Sequence, residues 1–226
     1  MDSEKLFIFR KKDVPRHIYQ LKITLKNISP PVWRRILISN YSTFSELHQA
    51  IQDCFYWSNY HLHEFSYRYP EPPHWQIHMQ AISPDESYYP EDRSDYYDIR
   101  EDELRLCDVF SIKLKNVNYL YDFGDNWEHS IRLEKVFPDD KDFRFFLCVG
   151  GKRATPPEDC GGSYGYQELL EIFDNPSHQE HEEMKGWVGE EINPEIIKSP
   201  MSKMTLKEIE RKYGPKLDDE IKKNRY

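Results

Sequence analysis

The sequence predicts an α+β fold: a mostly antiparallel sheet that opens with a β-β-α-β, grasp-like unit, continues with a second hairpin group and ends in helices. Three observations predict it. Residues 17–26 (HIYQLKITLK) alternate, with Tyr19, Leu21, Ile23 and Leu25 on one face, as a half-buried strand requires. Residues 43–55 switch to helical spacing. A second alternating pair, 119–123 and 127–136, flanks Gly124-Asp125-Asn126, a turn-forming triplet.

The remaining elements follow in order. Residues 27–31 (NISPP) make a turn, because proline fixes φ, and 32–39 (VWRRILIS) return as the second strand. Thr43 and Glu46 read T-x-x-E, a capping box. Leu47, Ala50, Ile51, Cys54 and Phe55 then form one apolar stripe. Residues 61–69 (HLHEFSYRY) alternate again, and 75–82 read as a further strand. Residues 83–103 hold nine acidic and two basic side chains and two prolines, and are expected to be a surface excursion. Residues 142–149 form the next strand, 150–165 a Gly/Pro loop, and helices are expected at 166–173, 178–188 and 205–213.

Composition excludes several classes. The chain has 226 residues, a net charge of -9 and 15% aromatic residues. So aromatic a chain is not disordered throughout. No apolar run approaches the ~20 residues of a membrane span, and residues 1–16 carry charge without the apolar core of a signal peptide, so the expected compartment is the cytoplasm and no membrane partner is expected. The acid is concentrated in 83–103 and in 155–195, which hold one basic and eleven acidic residues. A sequence pI of about 5.5 disfavours nucleic acid as a general ligand. Cys54, Cys107, Cys148 and Cys160 match no CxxC spacing and are expected as reduced thiols. Cys148 and Cys160 are the pair whose intervening loop would let them meet.

Two segments are dense enough to carry chemistry. In Tyr121-Asp122-Phe123-Gly124-Asp125-Asn126-Trp127-Glu128-His129, alternation puts Trp127 and His129 with Ile131 and Leu133. His129 is therefore expected in the core. Its functional reading is a histidine oriented by Asp122 or Asp125. The second segment, 149–166, holds Glu158, Asp159, Gly161, Gly162 and Tyr166. It matches no phosphate-binding glycine motif and is expected to be a rigid loop whose acids cap backbone N–H groups. His61 and His63 share a strand face, and with His129 and an Asp they are the candidate ligands of a divalent metal; otherwise no cofactor is expected. The chain has no H-E-x-x-H.

Three segments together carry a family resemblance: Ile23 to Arg35 with its Val-Trp-Arg-Arg, joined by His-Leu-His-Glu-Phe at 61–65; Tyr-Asp-Phe-Gly-Asp-Asn-Trp-Glu-His at 121–129; and Pro-Pro-Glu-Asp-Cys-Gly-Gly-Ser-Tyr-Gly-Tyr at 156–166. They resemble the plasmid pRiA4b ORF-3-like family over residues 17–200. This organises the chain as an extension (1–16), the family domain with its acidic insertion (83–103), and a C-terminal helix with a basic tail (201–226). The resemblance implies an occurrence on plasmids and beside insertion elements. It supplies no catalytic residue.

Three functions follow as expectations. The first is a non-enzymatic binding or accessory module tied to mobile elements, with a homo-oligomer or protein partner. Its site is the groove between the 121–129 hairpin and the 156–166 loop, taking in Asp122, Asp125, Trp127, His129, Glu158, Asp159, Gly161, Gly162 and Tyr166. The second is metal-assisted hydrolysis by His61, His63, His129 and Asp122 or Asp125. The third is DNA recombination, the resolvase label found in the family, for which no activated serine among arginines is visible.

Overall fold

A computed structural model of the chain describes residues 11–70, 76–80, 96–141, 143, 145–189, 208 and 211–212. The order of elements is β1 (His17–Leu25), β2 (Trp33–Ser39), α1 (Phe44–Phe55), β3 (His63–Arg68), β4 (Gln76–Gln80), β5 (Tyr96–Arg100), α2 (Leu106–Val109), β6 (Asn116–Tyr121), β7 (Trp127–Pro138), β8 (Phe146–Lys152), α3 (Gly162–Asp174) and α4 (His181–Val188). The eight strands form one sheet in the order β5-β4-β3-β6-β7-β1-β2-β8. Every pairing is antiparallel except β4 with β5. The β6–β7 hairpin lies between β1 and β3, so the opening β-β-α-β unit is completed in space by the second hairpin group.

The alternation in β1 decides which face is buried. Tyr19, Leu21, Ile23 and Leu25 enter the main core with α1, whereas Ile18 turns to a small second cluster with Leu37, Phe137 and Val149. Helix α1 starts as its capping box requires. Thr43 Oγ1 accepts from the Glu46 N–H (3.2 Å), and Glu46 Oε2 accepts from the Thr43 N–H (2.8 Å). Its stripe of Phe44, Leu47, Ile51, Cys54 and Phe55 is fully buried. The helix stops where Tyr56 turns to φ 60.

The two arginines of the Trp-Arg-Arg segment part across β2. Arg34 is wholly buried. It donates to the carbonyls of Cys54 (3.0 Å), Trp33 (2.9 Å) and Lys152 (3.2 Å), and its guanidinium lies over the Phe55 ring. It therefore ties α1 to β8. Arg35, on the other face, forks onto both oxygens of Glu134 at 2.6 and 3.0 Å.

Several expectations shift. The strand expected at 142–149 is β8 at Phe146–Lys152, because Phe145 takes φ 58 and stands outside the ladder. The first strand of the second hairpin ends at Tyr121, because Asp122 takes φ 57. Helix α3 begins at Gly162, four residues before the expected start. The surface excursion expected at 83–103 does not hold over its last part. Residues 83–95 lie outside the described residues, but 96–100 are β5 and Glu101 is 3% exposed. The expected helix at 205–213 and the tail lie outside the described residues apart from 208 and 211–212. All four cysteines are free, and the thiol that Cys148 meets is that of Cys54, not Cys160. Among the described residues no helix is long and apolar enough to cross a membrane.

Candidate functional site

The hairpin turn and the Gly/Pro loop meet, but as a packed joint rather than a groove. Asp125 Oδ2 accepts from the Gly161 N–H at 3.1 Å. A Cβ on Gly162, which sits at φ +69, would lie 2.3 Å from the Asp125 carbonyl oxygen. One on Gly165 would lie 1.9 Å from the Cys160 carbonyl oxygen. These glycines are there to let backbone approach backbone.

Of the two loop acids expected to cap backbone N–H groups, Glu158 does so and Asp159 faces His61 instead. Glu158 Oε2 accepts from the Ser58 N–H (2.9 Å), and its other oxygen accepts from the Tyr121 hydroxyl. Asp122 Oδ1 accepts from the N–H groups of Gly124 (2.9 Å) and Asp125 (3.3 Å). Both Asp122 and Asp159 hold left-handed backbone, φ 57 and 58, which Asp tolerates better than most residues.

Three of the predicted binding residues belong to the core instead. Trp127 and Tyr166 are each 1% exposed; the Trp127 ring lies 6.1 Å from that of Trp57, and the Tyr166 hydroxyl donates to the Ala154 carbonyl. His129 is fully buried and packs edge-on against Phe55 and Trp57. Neither of its nitrogens has a well-formed hydrogen bond. Burial pushes its pKa down to about 3, against a weak opposing pull from the backbone of Trp127 and Tyr119.

The three-histidine metal set is not assembled. His63 Nε2 lies 2.7 Å from Glu101 Oε2, both inside the protein. Its ring stacks on that of His48 at 3.5 Å. His48 in turn contacts the Tyr119 hydroxyl and Asn59 Oδ1, each at 2.7 Å. Gln52 donates to the same hydroxyl at 3.1 Å and accepts from the Asn59 N–H. This buried polar chain uses up His63 as a ligand. His48 fell outside the stripe read from the sequence, although it stands four residues after Phe44 on the buried face of α1. Glu101 carried no signal, being one acid in an acidic run.

His61 has separated from the other two and faces the carboxylates. Its Nε2 is 3.2 Å from Asp159 Oδ1 and 3.7 Å from Asp122 Oδ2. Among the described residues, the group of three or more His, Cys, Asp or Glu ligand atoms lying within 4.8 Å of one another is His61, Asp122 and Asp159. The segments that carry it also present Tyr56, Tyr60, Leu62 and Tyr164, all at least 68% exposed. The segments that build this end of the sheet, 56–62, 121–128 and 156–164, hold five carboxylates and no Lys or Arg.

The model of the family described as plasmid pRiA4b ORF-3-like protein matches residues 17–200. "Uncharacterized protein y4hQ" of Sinorhizobium fredii is 36% identical over 180 residues, which is 76% of this chain and 81% of that protein. The crystal structure of "Protein of Unknown Function MM3350" from Methanosarcina mazei Go1 superposes with a TM-score of 0.71 at 35% identity, covering 82% of this chain and 97% of that one. The described fold and the matched span agree, and the chain belongs to the plasmid pRiA4b ORF-3-like family.

Proposed function

We propose that the chain is a non-catalytic binding module, an accessory to plasmid and mobile-element functions, and that its working surface is the end of the sheet around His61. The observation that supports this is the separation of chemistry from solvent. His48, His63 and His129, the side chains best suited to proton transfer, are buried and engaged in packing or internal contacts. What faces outward is Asp159, with half-buried Asp125 and Glu158 and buried Asp122 behind it, on segments that also expose Tyr56, Tyr60 and Tyr164. Carboxylates beside exposed tyrosine rings suit a positively charged ligand, by charge and by cation–π contact. They repel the phosphate backbone of DNA, which disfavours recombination. The dispersal of His63 and His129 likewise disfavours hydrolysis on three imidazoles.

The test is NMR shift mapping on the full chain with three probes: a lysine- and arginine-rich peptide, a divalent metal salt, and duplex DNA. Positively charged probes are expected to move the backbone signals of 58–62, 122–126 and 158–162, and the duplex to leave them still. Tight, salt-dependent DNA binding would overturn the reading, as would shifts from the cationic probes confined to another face.

A further inference from the structure

We propose that His61, Asp122 and Asp159 form a binding site for one divalent transition-metal ion, zinc before others. The inference rests on the reading of this face as a receptor for positive charge, and it names the charge.

The donor set comes first. One imidazole nitrogen and two carboxylate oxygens are ligands of the borderline kind that zinc accepts. The spacing comes second. Tetrahedral zinc with ligands at about 2.0–2.2 Å holds neighbouring donor atoms about 3.3–3.6 Å apart. The distances from His61 Nε2 to Asp159 Oδ1 and Asp122 Oδ2 are 3.2 and 3.7 Å. They straddle that range without any movement of the chain. The third edge, between the two carboxylate oxygens, is no longer than 4.8 Å.

An independent observation points to a ligand. The Nε2 atom of His61 is buried, although a quarter of the side chain is exposed, and its ion-pair contacts with the two carboxylates form no well-aligned hydrogen bond. Asp159 lies close to it, but at an angle that makes no hydrogen bond. A buried polar atom without a well-formed hydrogen bond is costly. It needs an explanation of its own, and a metal between the three side chains supplies one.

The supports around the ligands fit the same reading. Asp122 is 7% exposed. Its Oδ1 is held by the N–H groups of Gly124 and Asp125, which leaves Oδ2 turned toward His61. Such backing fixes a carboxylate ligand in orientation. Asp159 follows Glu158, whose carboxylate is anchored by Ser58 and Tyr121. The His61 ring packs edge-on against Tyr121. Three protein ligands leave a further coordination position for water or another donor, and Tyr60 and Leu62, which flank His61 in the chain, are both exposed.

The experiment uses the full chain, stripped with a chelator and titrated calorimetrically with Zn2+, Mn2+ and Ca2+ separately. One equivalent of Zn2+ is expected to bind, more tightly than Ca2+. His61→Ala and Asp159→Asn should each weaken binding by about tenfold or more. His178→Ala, on a loop away from the site, should change nothing. Asp122→Asn keeps an oxygen for the two turn amides and removes the charge, so weak binding with an unchanged circular dichroism spectrum supports a ligand role. If that variant unfolds, the other two still decide. No zinc binding, or binding indifferent to both His61→Ala and Asp159→Asn, overturns the inference. A lysine- and arginine-rich peptide titrated in parallel separates the two failures. If the peptide moves the face while zinc does not bind, only the metal is lost; if neither binds there, the receptor reading falls with it.

Discussion

The imidazole rings of His48 and His63 lie parallel, their centroids 3.5 Å apart and their planes 3° apart. His63 is backed by the Glu101 carboxylate, whereas His48 is held between a tyrosine hydroxyl and an amide oxygen. A charge on His48 would therefore have no carboxylate of its own and would face its neighbour. Burial pushes the His48 pKa down to about 4, with the proximity of His63 adding to it and the Asn59 contact opposing it.

Acid should accordingly destabilise the fold before the carboxylates titrate. The unfolded chain takes a proton on these imidazoles near pH 6.5. The folded chain takes one on His48 only near pH 4 and on His129 only near pH 3. Between those limits the unfolded state binds more protons, so stability falls as pH drops. At one pKa unit per about 1.4 kcal/mol, the loss at pH 4.5 relative to pH 7 is roughly 2–3 kcal/mol per histidine. Urea unfolding at the two pH values measures it. Equal midpoints at pH 7 and pH 4.5 would show that these rings are not buried neutral.

His129→Leu isolates one of the two. The substitution removes two nitrogens that have no well-formed hydrogen bond and keeps an apolar side chain among Phe55, Trp57 and Tyr119. Replacing an unsatisfied polar group by an apolar one of similar shape is close to neutral, so stability at pH 7 should change by less than about 1.5 kcal/mol. The acid-dependent loss should shrink by about half. Binding at the His61 face should be unchanged. A variant that stays folded but binds nothing there would move His129 from the core to the site.

How much of this was legible depends on where the partner lies in the sequence. The β1 alternation and the Thr43–Glu46 capping box are local, and both stand as read. The Tyr121–His129 segment was legible as a place but not as a set of roles. Strand alternation correctly buried His129. His61 precedes β3 and so escaped the face that alternation gave it beside His63. Its carboxylate neighbours come from a turn and a loop about 60 and 100 residues onward. The β5 strand was hidden because acidic residues read as solvated, and its parallel pairing with β4 leaves no hairpin signature. Glu101 could not be found without His63, 38 residues away.

The glycines predict a graded series. Gly165→Ala and Gly162→Ala would each drive a Cβ into a carbonyl oxygen, at 1.9 and 2.3 Å, and the second also carries a positive φ. Both should cost at least about 2 kcal/mol, as overpacking with backbone displacement does. Gly186 lies inside α4, where an added Cβ would meet nothing within 4 Å. There Gly186→Ala should stabilise by about 0.5–1 kcal/mol through helix propensity. Thermal unfolding of the three variants checks the order. A tolerant Gly162→Ala would mean that the hairpin turn and the loop are not in contact.

The joint between hairpin and loop is best tested at Tyr121. Its ring is fully buried and stacks on Trp57 at 4.9 Å. Its hydroxyl donates to Glu158 and accepts from the Tyr60 N–H. Tyr121→Phe leaves the ring stack and removes both hydrogen bonds. The bond to a carboxylate is the stronger, so the loss should be about 1.5–3 kcal/mol. The effect should also be local. With the Glu158 carboxylate held only by Ser58, the 156–160 loop is freer to leave the turn. The amides of Ser58 and Tyr60 should then exchange faster with solvent, while those of β1 keep their protection. Asp159, one residue on, loses its fixed approach to His61, and zinc affinity should fall although no ligand atom has been changed. Hydrogen exchange and calorimetry on one variant therefore read the joint and the site together. Unchanged exchange at Ser58 and Tyr60 would show that the Tyr121–Glu158 contact does not hold the loop, and any loss of zinc affinity would then need another cause.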